Sequence, residues 1–131
     1  MILVDSSVWI DYFNGRLTPQ TTALDHLLGV QPLLVGDIIL CEVLQGFHSD
    51  SEFELVRQAL GHFGQVSLLS PALAVQSARN YRTLRSLGIT TRKTIDTFIA
   101  TYCIEHSHTL LHADKDFDPF EQHLGLQVLY T

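Results

Sequence analysis

Five acidic residues stand at positions in the sequence where their carboxylates could act together. They are Asp5, Glu42, Asp96, Asp114 and Asp116. Asp5 directly follows an apolar run, and Asp114 and Asp116 come shortly after another one. Glu42 and Asp96 interrupt apolar segments whose spacing is that of a helix. Because an acid in the wall of a core helix is costly unless it is paired with a cation or a metal, the pattern predicts a shared positive partner.

Carboxylates that converge on one place repel each other, and this repulsion raises their pKa values. A hard divalent cation, Mg²⁺ or Mn²⁺, relieves it, because these ions prefer carboxylate and water oxygens. Such a site is typical of phosphoryl transfer, where the metal activates water and stabilises the leaving oxygen. Taken singly, Asp5, Asp114 and Asp116 also fit turns. Glu42 alone fits a solvated helix face, and Asp96 fits a helix N-terminus.

Alternating β-rich and helical segments must position these acids. The pattern predicts strands at 2–4, 33–35, 66–69, 109–111 and 127–130, and helices at 6–14, 19–28, 38–45, 49–63, 71–88 and 94–106. Strands separated by helices predict an α/β fold with a central, mainly parallel sheet covered on both faces. Ligands of such sheets bind beyond the carboxyl ends of the strands, where Asp5 and Asp114 are expected.

The composition narrows the class of protein. The chain has 131 residues, of which 46% are hydrophobic, so we expect a single domain over residues 1–131 rather than a disordered chain. No apolar run reaches the ~18 to 20 residues of a membrane span. The start of the chain lacks the basic region of a signal peptide, so we expect a cytoplasmic protein with no membrane association. Cys41 and Cys103 lie in apolar segments and are interpreted as small core residues in a reducing compartment.

The charge balance at first argues against a nucleic-acid partner. The net charge is −6, whereas nucleic-acid-binding proteins usually carry a basic excess. Without Asp5, Glu42, Asp96 and Asp114, however, the remainder of the chain carries only −2. Five of the eight basic residues fall within fifteen positions: Arg79, Arg82, Arg85, Arg92 and Lys93. They are either a solvated helix face or a surface that binds RNA phosphates beside Asp96.

Four segments of the chain carry a resemblance to a known family. They are the opening Met-Ile-Leu-Val-Asp-Ser-Ser-Val-Trp-Ile-Asp, the mid-chain Glu42, Ile-Asp-Thr-Phe-Ile-Ala at 95–100, and Leu-Leu-His-Ala-Asp-Lys-Asp-Phe at 110–117. In order and spacing they resemble the PIN domain. More narrowly, the chain resembles the VapC ribonuclease toxins of bacterial toxin–antitoxin pairs.

This resemblance implies a fold and an activity. The fold is a PIN-like three-layer α/β/α sandwich, and the activity is that of an endoribonuclease that depends on Mg²⁺ or Mn²⁺ and cleaves RNA by metal-activated water. Asp5, Glu42, Asp96 and Asp114 match the acidic quartet of the family, and Asp116 matches a frequent fifth member. Ser6 or Ser7 supplies the hydroxyl that the family places after the first acid.

The resemblance also implies partners. These are a second copy in a homodimer and a small cognate antitoxin of the VapB type, with operator DNA contacted only through the antitoxin. Trp9, Tyr12 and Phe13 are interpreted as core or dimer-interface aromatics.

Other functions fit the sequence less well. A PIN nuclease of RNA maturation would carry the same acids. A receiver-like signalling domain needs an acid after the third strand and a lysine after the fifth, and the chain has neither. Zinc binding by Cys103, His106, His108 and His112 is disfavoured, because their spacing does not match a structural zinc framework.

Overall fold

A computed structural model describes all residues, 1–131. The strands are β1 (Ile2–Val4), β2 (Leu33–Gly36), β3 (Gly64–Val66), β4 (Thr109–Leu111) and β5 (Gln127–Val128). The helices are α1 (Ser6–Phe13), α2 (Pro19–Leu27), α3 (Asp37–Leu44), α4 (Asp50–Leu60), α5 (Pro71–Ser86), α6 (Thr94–His106) and α7 (Asp118–Leu124), with a 3₁₀ turn at Lys115–Phe117. All strand pairs are parallel, in the order β3-β2-β1-β4-β5, which confirms the predicted α/β sandwich.

The strand order divides the helices between two layers. From β1 the chain runs outward through β2 to β3, and it then crosses back to β4 and continues to β5. Because parallel crossovers are right-handed, this reversal puts α1 to α4 on one face of the sheet and α5 to α7 on the other. The packing agrees: α1 contacts α2 and α3, α3 contacts α4, and α5 contacts α6 and α7.

Local sequence explains most helix starts. Thr18 caps α2 and accepts the amide of Thr21, Ser49 caps α4, and Ser70 caps α5. Proline follows directly at the first position of both α2 and α5, where its missing N–H costs nothing. These starts agree with the predicted ones. None of the helices is both long and apolar enough to cross a membrane.

The third strand lies earlier than predicted, at Gly64–Val66 rather than 66–69. Leu68 is buried but leaves the sheet, because its amide donates to Asp37 Oδ1 at 3.0 Å. Its side chain packs against Gly36, where a Cβ would lie 2.3 Å from Leu68 Cδ1. The apolar run at 66–69 therefore does not mark the strand, because Leu68 is buried in the core from a loop. Helix α4 likewise ends at Leu60, and β5 covers only Gln127–Val128.

Two predicted core assignments have different outcomes. Cys103 is fully buried, and burial raises the pKa of its thiol to about 12. Cys41 is exposed, so its assignment to the core was wrong; it lies on the solvent side of α3. Trp9 is buried and stacks on Phe13 with ring centroids 5.7 Å apart, and Tyr12 packs partly buried against the same core.

Candidate metal centre

The candidate site lies where the strand order reverses, between β1 and β4. From these neighbouring strands the chain continues in opposite directions, which opens a crevice at their carboxyl ends. Val4 pairs with Leu111, and the amide of Asp5 donates to the Leu111 carbonyl at 2.9 Å. Asp5 is therefore fixed at the end of β1, directly beside the end of β4.

Three of the predicted acids meet at this edge. Asp96, Asp114 and Asp116 each offer a carboxylate oxygen, and the three oxygens lie within 4.8 Å of one another. Asp96 comes from the first turn of α6 and is buried, while Asp114 and Asp116 are half-buried in the turn after β4. Asp114 Oδ1 also accepts the amide of Asp116 at 2.9 Å. The turn geometry considered for this pair is thus present, and it orients one acid of the cluster.

The two serines after Asp5 bond to different carboxylates. Ser7 donates both its amide, at 3.0 Å, and its hydroxyl, at 2.6 Å, to Asp5 Oδ2. The Ser7 hydroxyl in turn accepts the amide of Ala113 at 3.1 Å, which ties α1 to the loop after β4. Ser6 donates its hydroxyl to Glu42 Oε1 at 3.1 Å. Each serine therefore orients a different carboxylate.

Burial and repulsion act together on these acids. Burial raises the pKa of Asp5, although hydrogen bonds from Ser7 oppose the effect. Burial, followed by the charges of Asp5 and Asp114, raises the pKa of Asp96 to about 7. Burial also raises the pKa of Glu42, against the hydrogen bond from Ser6. The site therefore holds more negative charge than its surroundings stabilise.

One cation already faces the cluster. Lys93 Nζ lies 3.5 Å from Asp114 Oδ2, and the charges of Asp96 and Asp114 raise the pKa of the lysine. Arg92 and Lys93 line a surface cavity of about 480 Å³ together with Asp114 and Asp116. Of the five predicted basic residues, these two lie beside the acids. Arg79, Arg82 and Arg85 instead line another cavity, on α5.

A divalent cation fits the acidic cluster. Asp5 Oδ1 and Asp96 Oδ2 are both buried and have no hydrogen-bond partner. Lys93 is exposed and contacts only Asp114 among these acids, so it does not satisfy the two buried oxygens. An unpartnered buried carboxylate oxygen is costly, and a set of oxygen donors suits Mg²⁺ or Mn²⁺.

Sequence reasoning missed the role of His112. Its Nδ1 accepts the amide of Asp114 at 3.2 Å, and its ring packs on Phe117 with centroids 4.9 Å apart. Its position directly after β4 could have indicated this role, but from the sequence the residue was considered only as a zinc ligand. The oxygens of Asp96, Asp114 and Asp116 lie close enough together to hold an ion, whereas Cys103, His106, His108 and His112 form no such group.

The fold and the site together define an α/β/α protein with an acidic crevice at the switch point of a parallel sheet. The family model described as the PIN domain matches residues 2–121, and the chain belongs to that family. The chain is 26% identical over 130 residues to VapC ribonuclease Mb1587 of Mycobacterium bovis, covering 98% of this chain and 97% of the relative.

Solved structures share the fold. A toxin–antitoxin complex from Klebsiella pneumoniae matches with a TM-score of 0.74 and 22% identity, covering 99% of this chain and 97% of that one. VapBC2 from Rickettsia felis, bound to a DNA fragment from its promoter, also has a TM-score of 0.74, with 17% identity and 98% coverage of both chains.

Proposed function

We propose that this chain is a VapC-type endoribonuclease toxin that cleaves RNA with Mg²⁺ or Mn²⁺. The observation that carries the proposal is the pair of buried, unpartnered oxygens, Asp5 Oδ1 and Asp96 Oδ2, beside the clustered carboxylates of Asp114 and Asp116. The ribonuclease name of the Mycobacterium bovis relative supports the activity.

In this proposal the acids divide the work between them. Asp5, Asp96, Asp114 and Asp116 would hold the cation. A bound divalent cation lowers the pKa of water and neutralises negative charge on a phosphodiester. Glu42 is half-buried and bonded to Ser6 through Oε1 alone, which leaves Oε2 to accept a proton from the attacking water. The water oxygen bonds to phosphorus as the bond from phosphorus to the leaving oxygen breaks.

The basic residues bind the rest of the RNA backbone. Lys93 and Arg92 stand at the rim of the acidic crevice, where a phosphate next to the cleaved one would lie. Arg79, Arg82 and Arg85 extend this contact along α5. Contacts to phosphate give affinity and register but no choice of sequence.

The remaining proposals concern assembly and location. Residues 1–131 act as a single catalytic domain that pairs as a homodimer in the cytoplasm. A small VapB-type antitoxin neutralises it and alone contacts operator DNA. The solved toxin–antitoxin complexes with the same fold support the antitoxin partner.

A metal-dependent cleavage assay tests the activity. We expect the purified protein to cut fluorescent single-stranded RNA with Mg²⁺ or Mn²⁺ and to lose the activity in EDTA. Asp5→Asn and Asp96→Asn each remove a ligand charge and should slow cleavage at least about 100-fold. Asp25→Asn, an exposed site on α2, is the matched control and should cleave normally. Undiminished cleavage in EDTA, or by both ligand variants, would refute the proposal.

Growth on expression tests the toxin role separately. Induction of the native chain should arrest bacterial growth, whereas induction of Asp96→Asn at the same protein level should not. A protein that cuts RNA in the assay but does not slow growth is a nuclease of another kind, such as one of RNA maturation.

A further inference from the structure

A second cleft lies between α5 and α6 and shares no lining residue with the cavity beside the acids. Its volume is about 530 Å³. The residues that matter in its lining are Ser77, Tyr81, Arg82, Arg85, Thr97 and Phe98. We propose that this cleft binds a nucleobase of the RNA substrate, a proposal that rests on the ribonuclease function above.

Two buried hydroxyls in the cleft lack partners. Ser77 and Thr97 are each only 2% exposed, and neither Ser77 Oγ nor Thr97 Oγ1 has a hydrogen-bond partner. Deeper along the same helix pair, Asn80 Nδ2 donates to Thr101 Oγ1 at 2.9 Å, so the polar contacts there are satisfied. A buried hydroxyl without a partner costs free energy, and such groups call for an explanation. Both oxygens are closed to solvent in this structure, so a base edge would supply donors and acceptors to them once the side chains that line the cleft move apart.

Aromatic rings flank these hydroxyls. Tyr81 on α5 and Phe98 on α6 are both half-buried and line the same cleft. The Arg85 guanidinium carbon lies 5.7 Å from the centre of the Tyr81 ring, which extends the flat surface. Bases of single-stranded RNA stack on such surfaces, whereas their edges hydrogen-bond to side chains.

The charge of the cleft favours a nucleotide over an apolar partner. Arg82 and Arg85 line it, and neither lies within ion-pair distance of an acid; the ion pairs of the chain use Arg16, Arg57 and Lys93. Unpaired guanidiniums beside aromatic rings and hydroxyls match the phosphate and base of one nucleotide. A docked apolar helix would leave both charges and both hydroxyls without partners.

The position of the cleft relates it to the cleavage site. Thr97 and Phe98 directly follow Asp96 in the first two turns of α6. The helix that carries one acid of the cluster thus also forms one wall of the cleft. The base in the cleft therefore belongs to a nucleotide close to the scissile phosphate, and the cleft contributes to sequence preference.

Two substitutions separate this role from a structural one. Thr97→Val keeps the shape of the side chain but removes the hydroxyl, and Tyr81→Ala removes the stacking surface. Each is made in the full chain carrying Asp5→Asn, so that RNA stays intact. Binding of short single-stranded homopolymers of each of the four bases is followed by fluorescence anisotropy, and thermal midpoints are recorded. The matched controls are Thr22→Val on α2 and Tyr130→Ala near the C-terminus, both at exposed sites.

We expect Tyr81→Ala to weaken RNA binding about tenfold or more, as loss of one stacked base does. Thr97→Val should weaken binding about fivefold for the preferred base and less for the others. Its thermal midpoint should stay unchanged or rise, because the lost hydroxyl had no partner. A merely structural threonine would not give weaker binding together with equal or greater stability.

Unchanged affinity and unchanged base preference in both variants would overturn the proposal, even if Asp96→Asn abolishes cleavage and the ribonuclease function stands. A change from dimer to monomer in both variants, with RNA affinity retained, would assign the cleft to a second copy of the chain and also overturn it. If the parent chain binds none of the homopolymers and the native protein cuts no RNA, both proposals fail together.

Discussion

The two ends of the central strands handle like charges in opposite ways. At the amino end, the Met1 ammonium lies 3.3 Å from His108 Nδ1, and the rings of His106 and His108 are nearly parallel with centroids 5.9 Å apart. At the carboxyl end, only the three residues of β1 away, the buried Asp5 carboxylate acts on Asp96 of the acidic cluster, whose pKa its charge raises. One end gathers groups that can be positive and the other gathers groups that are negative.

The difference lies in what each end can do at neutral pH. Burial and the Met1 ammonium lower the pKa of His108, so this ring is neutral and the repulsion disappears. Asp5 and Asp96 have raised pKa values, yet relief through protonation is at best partial near neutrality, since the pKa of Asp96 reaches only about 7. Loss of a proton from His108 thus removes the repulsion at the amino end, whereas at the carboxyl end we propose that a cation removes it. Functional sites typically lower the stability of a fold locally, as the repulsion between these acids does here.

Among the changes that separate the two ends, adding a divalent cation should change the free energy of unfolding most. Mn²⁺ at 100 times its Kd should stabilise the native protein by about 2.7 kcal/mol, because it binds the folded state alone. The double variant Asp5→Asn/Asp96→Asn should show little or none of this shift in thermal unfolding. His108→Gln, at the other end of the strands, should retain all of it. An equal shift in the acid variant would place the ion elsewhere.

The second largest effect should be the change of stability with pH in the absence of a cation. The folded-state pKa of Asp96 is about 7 against an ordinary value of 3.8, so the folded chain binds a proton that the unfolded chain does not. This group therefore destabilises the fold increasingly as the pH rises from about 4 through 7.

In EDTA, Asp96→Asn should be more stable than the native chain at pH 8, and this difference should shrink toward pH 5. Thermal unfolding at the two pH values measures it, with Asp25→Asn as the control. A difference that grows toward pH 5 would mean that Asp96 is stabilised as an anion in the metal-free fold.

Much of this contrast could be predicted from the sequence, because strand ends and apolar runs are local signals. Asp5 and Asp114 follow short apolar runs that are parallel neighbours, and Asp96 stands out in an apolar helix. The hydrogen bonds from Ser7 to Asp5 are also local, because Asp5 is the N-cap of α1. The hydrogen bond from Ser6 to Glu42 is not local, since it forms only when α1 packs against α3.

The errors have the same origin. Leu68 lies in an apolar run that is typical of a strand. It leaves the sheet because its amide donates a hydrogen bond to Asp37 and its side chain fills the space above Gly36. Cys41 lies in an apolar run yet faces solvent, because a short surface helix buries only one side. Periodicity in an eight-residue helix was too brief to show which side that is.

Removing the Lys93 charge should have a smaller effect, an increase in the repulsion among the acids at the carboxyl end. Lys93 supplies the only cation in ion-pair contact with the cluster, and its charge lowers the pKa of Asp96. Lys93→Met should raise the pKa of Asp96 further and tighten Mn²⁺ binding, since ammonium and metal compete for Asp114.

Because the pair is largely exposed, we expect no more than about a fivefold gain in calorimetric metal affinity. The KM for RNA should rise at the same time, because a phosphate contact is lost. Arg16→Met, which breaks a comparable exposed pair with Asp11, is the control and should change neither quantity. Weaker metal binding in Lys93→Met would show that the lysine supports the cation site instead.

Replacing His108 at the amino end should have the smallest effect on stability, and the effect should depend on pH in the opposite sense to that of Asp96. The pKa of His108 is lowered in the fold, so the unfolded chain binds its proton more readily, and this group favours folding above pH 6.5 and opposes it below. His108→Gln should therefore lose less stability than the native chain between pH 7 and pH 5. RNA cleavage should stay within about twofold of native, because the substitution leaves the acidic crevice untouched. A large loss of cleavage would mean that the two ends are coupled through β1 and β4, and that the charge at one end is not independent of the other.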